Sequence, residues 1–161
     1  SFMSRGISSV TIPSTVTVIE QYVFSGNNLT SLTLPSGLTS IGANAFQNNK
    51  LAGTLTLPSS LITLSSNAFA TNNFTSVVFP STLKTLQPAF ASNADLQSVV
   101  FLGSGIIESG GVYSLDSFTT AQNNALTIYV PTGKLTAFQT ANATKRFAST
   151  TITVTFVQGT P

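Results

Sequence analysis

The chain has 161 residues, of which 42% are hydrophobic and 6% charged, and its formal net charge is +2. The length fits one domain with a core of its own, and the hydrophobic share excludes a disordered chain, which needs low hydrophobicity and high net charge. The six basic residues are scattered, with Lys145-Arg146 as the one adjacent pair, so no basic stretch tracks a phosphate backbone and nucleic acid is excluded as a partner.

Proline marks the register along the chain. It stands at Pro13, Pro35, Pro58 and Pro80, at spacings of 22, 23 and 22. Counting from each proline, apolar residues recur six, three and one positions before it and three and six after it, and a Phe follows at ten or eleven. Coil 1 reads Ile7, Val10, Ile12, Val16, Ile19 and Phe24. Coil 2 reads Leu29, Leu32, Leu34, Leu38, Ile41 and Phe46. Coil 3 reads Ala52, Leu55, Leu57, Leu61, Leu64 and Phe69, and coil 4 Phe74, Val77, Phe79, Leu83, Leu86 and Phe90. Coil 5 opens with Leu96, Val99 and Phe101 and has Leu102 in the proline place, while coil 6 opens with Ala125, Ile128, Val130 and Pro131.

The alternation just before each proline predicts a short strand with two side chains facing in. Proline ends the strand because it has no N–H to donate. Ala-Phe steps such as Ala45-Phe46 predict short helical turns with a buried Phe. The pairs Asn27-Asn28, Asn48-Asn49 and Asn72-Asn73 predict turns that close each coil, because Asn side chains bond local backbone groups. From Leu102 to Pro131 the spacing grows to 29. Five of the seven extra residues fall before Phe118, and two between Phe118 and Asn123-Asn124. Beyond it, Leu135, Phe138 and Ala141 at helical spacing predict a closing helix over 134–142, and the alternation Thr151 to Phe156 predicts one last strand.

A period in the low twenties with an L-x-x-L-x-L core is a leucine-rich-repeat pattern. A lone coil buries too little to offset the ordering of its own chain, so coils must stack, with parallel strands about 4.8 Å apart. The expected fold is a β-rich α/β solenoid with about 22-residue coils, a parallel strand stack, a few short helical turns and a C-terminal capping helix. Residues 1–124 form the coils, irregular from 103, and 125–161 the last strand and cap. Phe2 precedes Ile7 by the same five residues that separate Phe24 from Leu29. It therefore reads as the Phe of a preceding coil, and the chain as the C-terminal part of a longer protein.

The stretch Leu29 to Phe46, LTSLTLPSGLTSIGANAF, resembles the BspA-like leucine-rich repeat family, and the likeness extends from residue 2 to about 155. Tyr129-Val130-Pro131 with Gly133 to Phe138, and Lys145-Arg146-Phe147 with Ile152, resemble that family's terminal strand, closing helix and closing segment. The resemblance implies a surface protein of a bacterium or protist, some relatives being associated with attachment to matrix proteins or other cells. It implies no catalytic residue.

The chemistry left to the chain is sparse. With no His and no Cys, imidazole or thiolate zinc sites and Ser-His-Asp or Cys-His nucleophiles are excluded. The acids are Glu20, Asp95, Glu108 and Asp116. Glu108 and Asp116 share one inserted segment, the nearest approach to a carboxylate pair or a calcium loop, and they read as solvated acids. Gly103-Ser104-Gly105 and Gly110-Gly111 lack the helix and Lys of a phosphate loop. No run reaches the length of a membrane span. No catalytic residue, metal or cofactor is expected. The sequons at Asn28, Asn73 and Asn142 read as chance, two of them falling in the Asn turns.

Two surfaces remain as candidates. The positions four and two before each proline point away from the core. The first column reads Ser9, Ser31, Thr54, Ser76, Ser98 and Thr127, and the second Thr11, Thr33, Thr56, Val78, Val100 and Tyr129. Thr33, Thr56, Val78, Val100 and Tyr129 thus form a charge-free strip, which suits contact with a protein or glycan. Val78, Val100 and Tyr129 break the hydroxyl ladder that ice binding would need. The insertion offers Ile106, Ile107, Val112 and Tyr113, either as a protruding contact or as a plug of the enlarged coil. The reading is a non-catalytic binding or adhesion module of a secreted or cell-surface protein, whose partner is a protein or glycan on a host or neighbouring cell. The alternatives are a self-associating tip of a surface fibre, hence a homo-oligomer, and an accessory domain of a larger enzyme.

Overall fold

The computed structural model of the protein describes residues 1–103, 112–113, 126–136 and 154–158. The coils build two parallel sheets, and among the described residues coils 3 to 5 contribute a strand to both. The first is built from two-residue strands: β1 (Val18–Ile19), β2 (Ser40–Ile41), β4 (Thr63–Leu64), β6 (Thr85–Leu86) and β8 (Val112–Tyr113). The second holds the longer ones: β3 (Ala52–Thr56), β5 (Asn73–Phe79), β7 (Ser98–Phe101), β9 (Leu126–Val130) and β10 (Val154–Gln158). Their orders are β1-β2-β4-β6-β8 and β10-β9-β7-β5-β3, so successive coils pair with one another throughout. Parallel pairing of consecutive coils is the only register that returns the same apolar columns to the interior. It brings Ile19, Ile41, Leu64 and Leu86 into one buried column, and Leu55, Val77, Val99 and Ile128 into another.

A third side of each coil is a corner, and there the expected short helical turns are replaced by pairs of β-turns. Ala45 N–H donates to Gly42 O and Gln47 N–H to Asn44 O, each spanning three residues, and Asn44 sits at φ 56°. Asn67 repeats this at φ 56° and Tyr22 at φ 58°. A left-handed residue cannot propagate an α-helix, and Asn tolerates that conformation better than most residues. The corners also bond to each other: Phe24 N–H reaches Ala45 O, Phe46 N–H reaches Ala68 O and Phe69 N–H reaches Ala89 O, at 2.8–2.9 Å. The rings of Phe2, Phe24, Phe46, Phe69 and Phe90 follow as one stack, with centroids 5.3–5.7 Å apart.

Inside this stack runs a ladder of single asparagines, Asn27, Asn49, Asn72 and Asn93, all buried. Asn49 Nδ2 donates to the carbonyls of Phe24 and Phe46, at 3.0 and 3.1 Å, while its Oδ1 accepts from Leu29 N–H at 3.0 Å. Asn72 does the same with Phe46, Phe69 and Leu51, and Asn93 with Phe69, Phe90 and Phe74. Each interior Phe carbonyl is therefore held by two successive asparagines. The Asn pairs of the sequence are not equivalent to one another. In Asn48-Asn49 the second residue is the ladder member, and the first takes φ 56°. In Asn27-Asn28 and Asn72-Asn73 the first is the ladder member and the second is exposed. The residue before each ladder Asn has a left-handed backbone: Gly26, Asn48, Thr71 and Ser92, with φ of 56–69°.

Two further expectations are corrected at the strands. Ala52 is exposed, and Leu51, which is 1% exposed and bonded to Asn72, fills the core place assigned to it. Gly53, at φ 78° beside a register shift, takes up the extra residue that makes this spacing 23. The strands expected before Pro13 and Pro35 are missing from the second sheet, which begins at β3. Val10, Ile12, Leu32 and Leu34 are only partly buried there, so little core contact holds coils 1 and 2 at strand spacing on this side.

In coil 5, Tyr113 pairs with Leu86 in the first sheet. Five extra residues are therefore inserted between Leu102 and Val112, as the count of spacings had indicated. Of the closing helix expected over 134–142, Lys134 is not helical, Leu135 and Thr136 alone have helical backbone and 137–142 lie outside the described residues, and no helix is among the described elements. The last strand is β10, Val154–Gln158, parallel to β9. It runs two residues beyond the stretch predicted, and 151–153 lie outside the described residues.

Candidate functional site

The outer face of the second sheet is positioned by the ladder itself. Thr56 pairs with Val78, Val78 with Val100, and Val100 with Tyr129, and β10 continues the row at Val157. Four of the five residues of the expected strip are thus aligned across adjacent strands. Beside them Thr54, Ser76, Ser98 and Thr127 form a second row in register, and Ser98 Oγ lies 2.7 Å from Ser76 Oγ in a hydrogen bond between the hydroxyls.

The members of the strip differ in access. Thr56 is exposed, and Val78 and Tyr129 are half-buried. Val100 is only 4% exposed, so it offers almost no contact surface although it belongs to the outward row. Thr33 is exposed but lies outside the ladder, in the part of coil 2 that pairs with no strand. The strip carries no charge. Ile106 and Ile107 lie outside the described residues, as do Glu108 and Asp116. Tyr113 takes, by backbone register, the place held in earlier coils by the buried Ile19, Ile41, Leu64 and Leu86.

The remaining polar chemistry is dispersed. Glu20 and Asp95 are exposed on different coils. Among the described residues no group of three or more acidic side chains could hold a metal ion. No helix among them is long and apolar enough to cross a membrane.

Two openings were not legible in the sequence. One, of about 390 Å³, lies against coil 1 and is lined by Phe2, Val10, Ile12, Val16, Val18 and Phe24 among others. The second, of about 470 Å³, lies between the strand-side segments of coils 1 and 2 and is lined by Val10, Thr11, Ile12 and Ser14 on one wall and Thr33, Leu34, Pro35 and Ser36 on the other. The second lies where coils 1 and 2 do not pair on this side, whereas the first is lined by Phe2 and coil 1 alone. The apolar columns of coils 1 and 2 repeat those of coils 4 and 5, so the pattern of residue types gives no warning.

Stacked coils of this period, with parallel sheets, an asparagine ladder and a phenylalanine stack, define a leucine-rich-repeat solenoid. The family model that matches the chain, across residues 1–128, is the BspA type leucine rich repeat region, in six copies. The chain belongs to the BspA-type leucine-rich repeat family. No curated protein and no solved structure matches it.

Proposed function

We propose that this chain is a non-catalytic binding or adhesion module of a secreted or cell-surface protein, and that it contacts a protein or glycan of a host or neighbouring cell through the outer face of the second sheet. The observation that carries the reading is the aligned, uncharged row from Thr56 through Val78 to Tyr129 on hydrogen-bonded strands. Such a row is rigid before binding, so little ordering cost falls on association. An accessible aromatic at one end is the residue type most often found as an interface anchor. Membership of a repeat family, whose stacked coils generate extended binding surfaces, supports the same class. The absence of charge along the row favours close contact over electrostatic capture.

The test is a double variant, Thr56→Lys with Tyr129→Lys, at two accessible positions of the row. Binding of the purified chain to immobilised matrix proteins and to a glycan array is measured beside the unmodified chain, with circular dichroism to verify the fold. The variant is expected to lose at least about tenfold in affinity for any partner the unmodified chain binds, as a desolvated charge in an interface costs well over 1.4 kcal/mol. Unchanged binding by a folded variant refutes the sheet face as the contact surface.

A further inference from the structure

The second sheet is closed in coils 3 to 6 and open in coils 1 and 2. Among the described residues, 8–12 and 30–34 make no main-chain hydrogen bond with any partner, although Asn28 N–H still reaches Ile7 O and Lys50 N–H still reaches Leu29 O at the entrance to each segment. The same two coils are pinned elsewhere. Their phenylalanines stack at 5.3 Å, Phe24 on Phe46, and β1 pairs with β2. Two sides of the coil are therefore held together while the third stands apart, and the 470 Å³ opening lies between its walls. Its volume falls within the range of about 300–1,000 Å³ usual for ligand sites.

We infer that this opening is a slot for an extended, uncharged peptide segment of a partner protein, captured by strand addition. Of the lining residues, Val10, Thr11 and Ile12 on one wall and Thr33 and Leu34 on the other have main-chain N–H and C=O groups with no partner in the protein, and another extended backbone matches that alternation. Val10, Ile12 and Leu34 line the slot and are partly buried, so they leave apolar room for alternate side chains of the guest. None of the lining residues is charged, so a charged guest would lose hydration without gaining an ion pair. Open strand edges are ordinarily protected by charge, proline or cover. Here Pro13 and Pro35 stand only at the ends of the two segments, and no lysine or acid lies within 8–12 or 30–34. The inference deepens the binding reading above, on which it rests, and it moves the contact from the row beyond Thr56 to the Thr11 and Thr33 end of the same side.

The probe is the capped, uncharged peptide Thr-Val-Thr-Val-Thr-Val-Thr, and the readout is amide hydrogen exchange of the full chain by mass spectrometry. In the free chain, residues 8–12 and 30–34 are expected to exchange at least about tenfold faster than 75–79. Millimolar peptide is expected to slow them about tenfold, and an analogue with proline at alternate positions to leave them unchanged. Thr11→Pro and Thr33→Pro each remove one wall donor that bonds nothing in the protein, and are expected to weaken the protection. The inference is overturned if the two segments are already as slow as 75–79 without peptide, or if the peptide slows nothing. It is also overturned if protection follows chain concentration alone, because the guest is then a second copy. Should the peptide fail while Thr56→Lys with Tyr129→Lys still abolishes partner binding, the slot falls and the module reading stands.

Discussion

Replacing Asn72 by Ala tests the ladder at its interior. Asn72 is 3% exposed, and its side chain joins Leu51 N–H, Phe46 O and Phe69 O of coils 2 and 3, with a longer bond of 3.3 Å to Ala70 O. The loss is unequal among them. Phe46 O keeps the donor of Asn49, and Phe69 O keeps that of Asn93, so both carbonyls fall from two donors to one. The N–H of Leu51 has Asn72 Oδ1 as its acceptor and loses it. An orphaned buried donor costs about 1–3 kcal/mol, and each shared carbonyl bond about 0.5–1.5 kcal/mol. The expected loss is therefore about 2–6 kcal/mol, or roughly 4–24 °C in melting temperature for a chain of this size. Asn73, the next residue, is exposed, and its side chain joins none of these bonds, so Asn73→Ala is expected to cost under about 0.5 kcal/mol. Urea denaturation of both variants, followed by circular dichroism, gives the comparison. Equal midpoints for the two variants, or a loss below about 1 kcal/mol for Asn72→Ala, would refute the ladder as the source of coil cohesion.

Other substitutions address the backbone and the stack. Thr71 takes φ 56° where neighbouring coils carry Gly26, Asn48 and Ser92, and Tyr22 takes φ 58° where they carry Asn44 and Asn67. Thr71→Asn and Tyr22→Asn should each raise stability by about 0.5–1 kcal/mol, seen as a higher urea midpoint, because Asn tolerates the left-handed region better than β-branched or bulky residues do. A Cβ on Gly42 would stand 2.6 Å from Gln21 N and 2.8 Å from Glu20 C, whereas one on Gly37 would meet nothing closer than 4.0 Å. Gly42→Ala should therefore cost about 1–3 kcal/mol through backbone displacement, and Gly37→Ala less than about 1 kcal/mol, a contrast that thermal melting resolves. Phe46 lies between Phe24 and Phe69 and is fully buried, while Phe2 is 55% exposed at the end of the stack. Phe46→Ala should cost about 3–5 kcal/mol, with Phe2→Ala much the milder in the same assay.

The amino-acid pattern by itself determined the solenoid, its period and most of its core, because burial of one face per strand and one Phe per corner leaves a periodic trace that no other packing shares. Ile41, Leu64, Leu86, Phe46, Phe69 and Phe90 were all legible in this way. The absence of His and Cys likewise confines the chemistry open to the chain. The roles of the asparagines were not legible, because a buried ladder Asn and a left-handed Asn are the same letter side by side. Only the coil corner, where one finds a Phe carbonyl and the other a positive φ, separates them. Ala52 and Leu51 were exchanged for a similar reason, since a one-residue bulge at Gly53 shifts every count behind it. Access along the strip was decided by packing: Val78 and Val100 occupy one column, yet Val100 is buried and Val78 is not. Most of all, residues 7–12 and 29–34 carry the strand pattern of coils 4 and 5 without the pairing. A hydrogen-bonded ladder depends on the distance between neighbouring coils, and that distance is a property of the stack, which no single repeat contains.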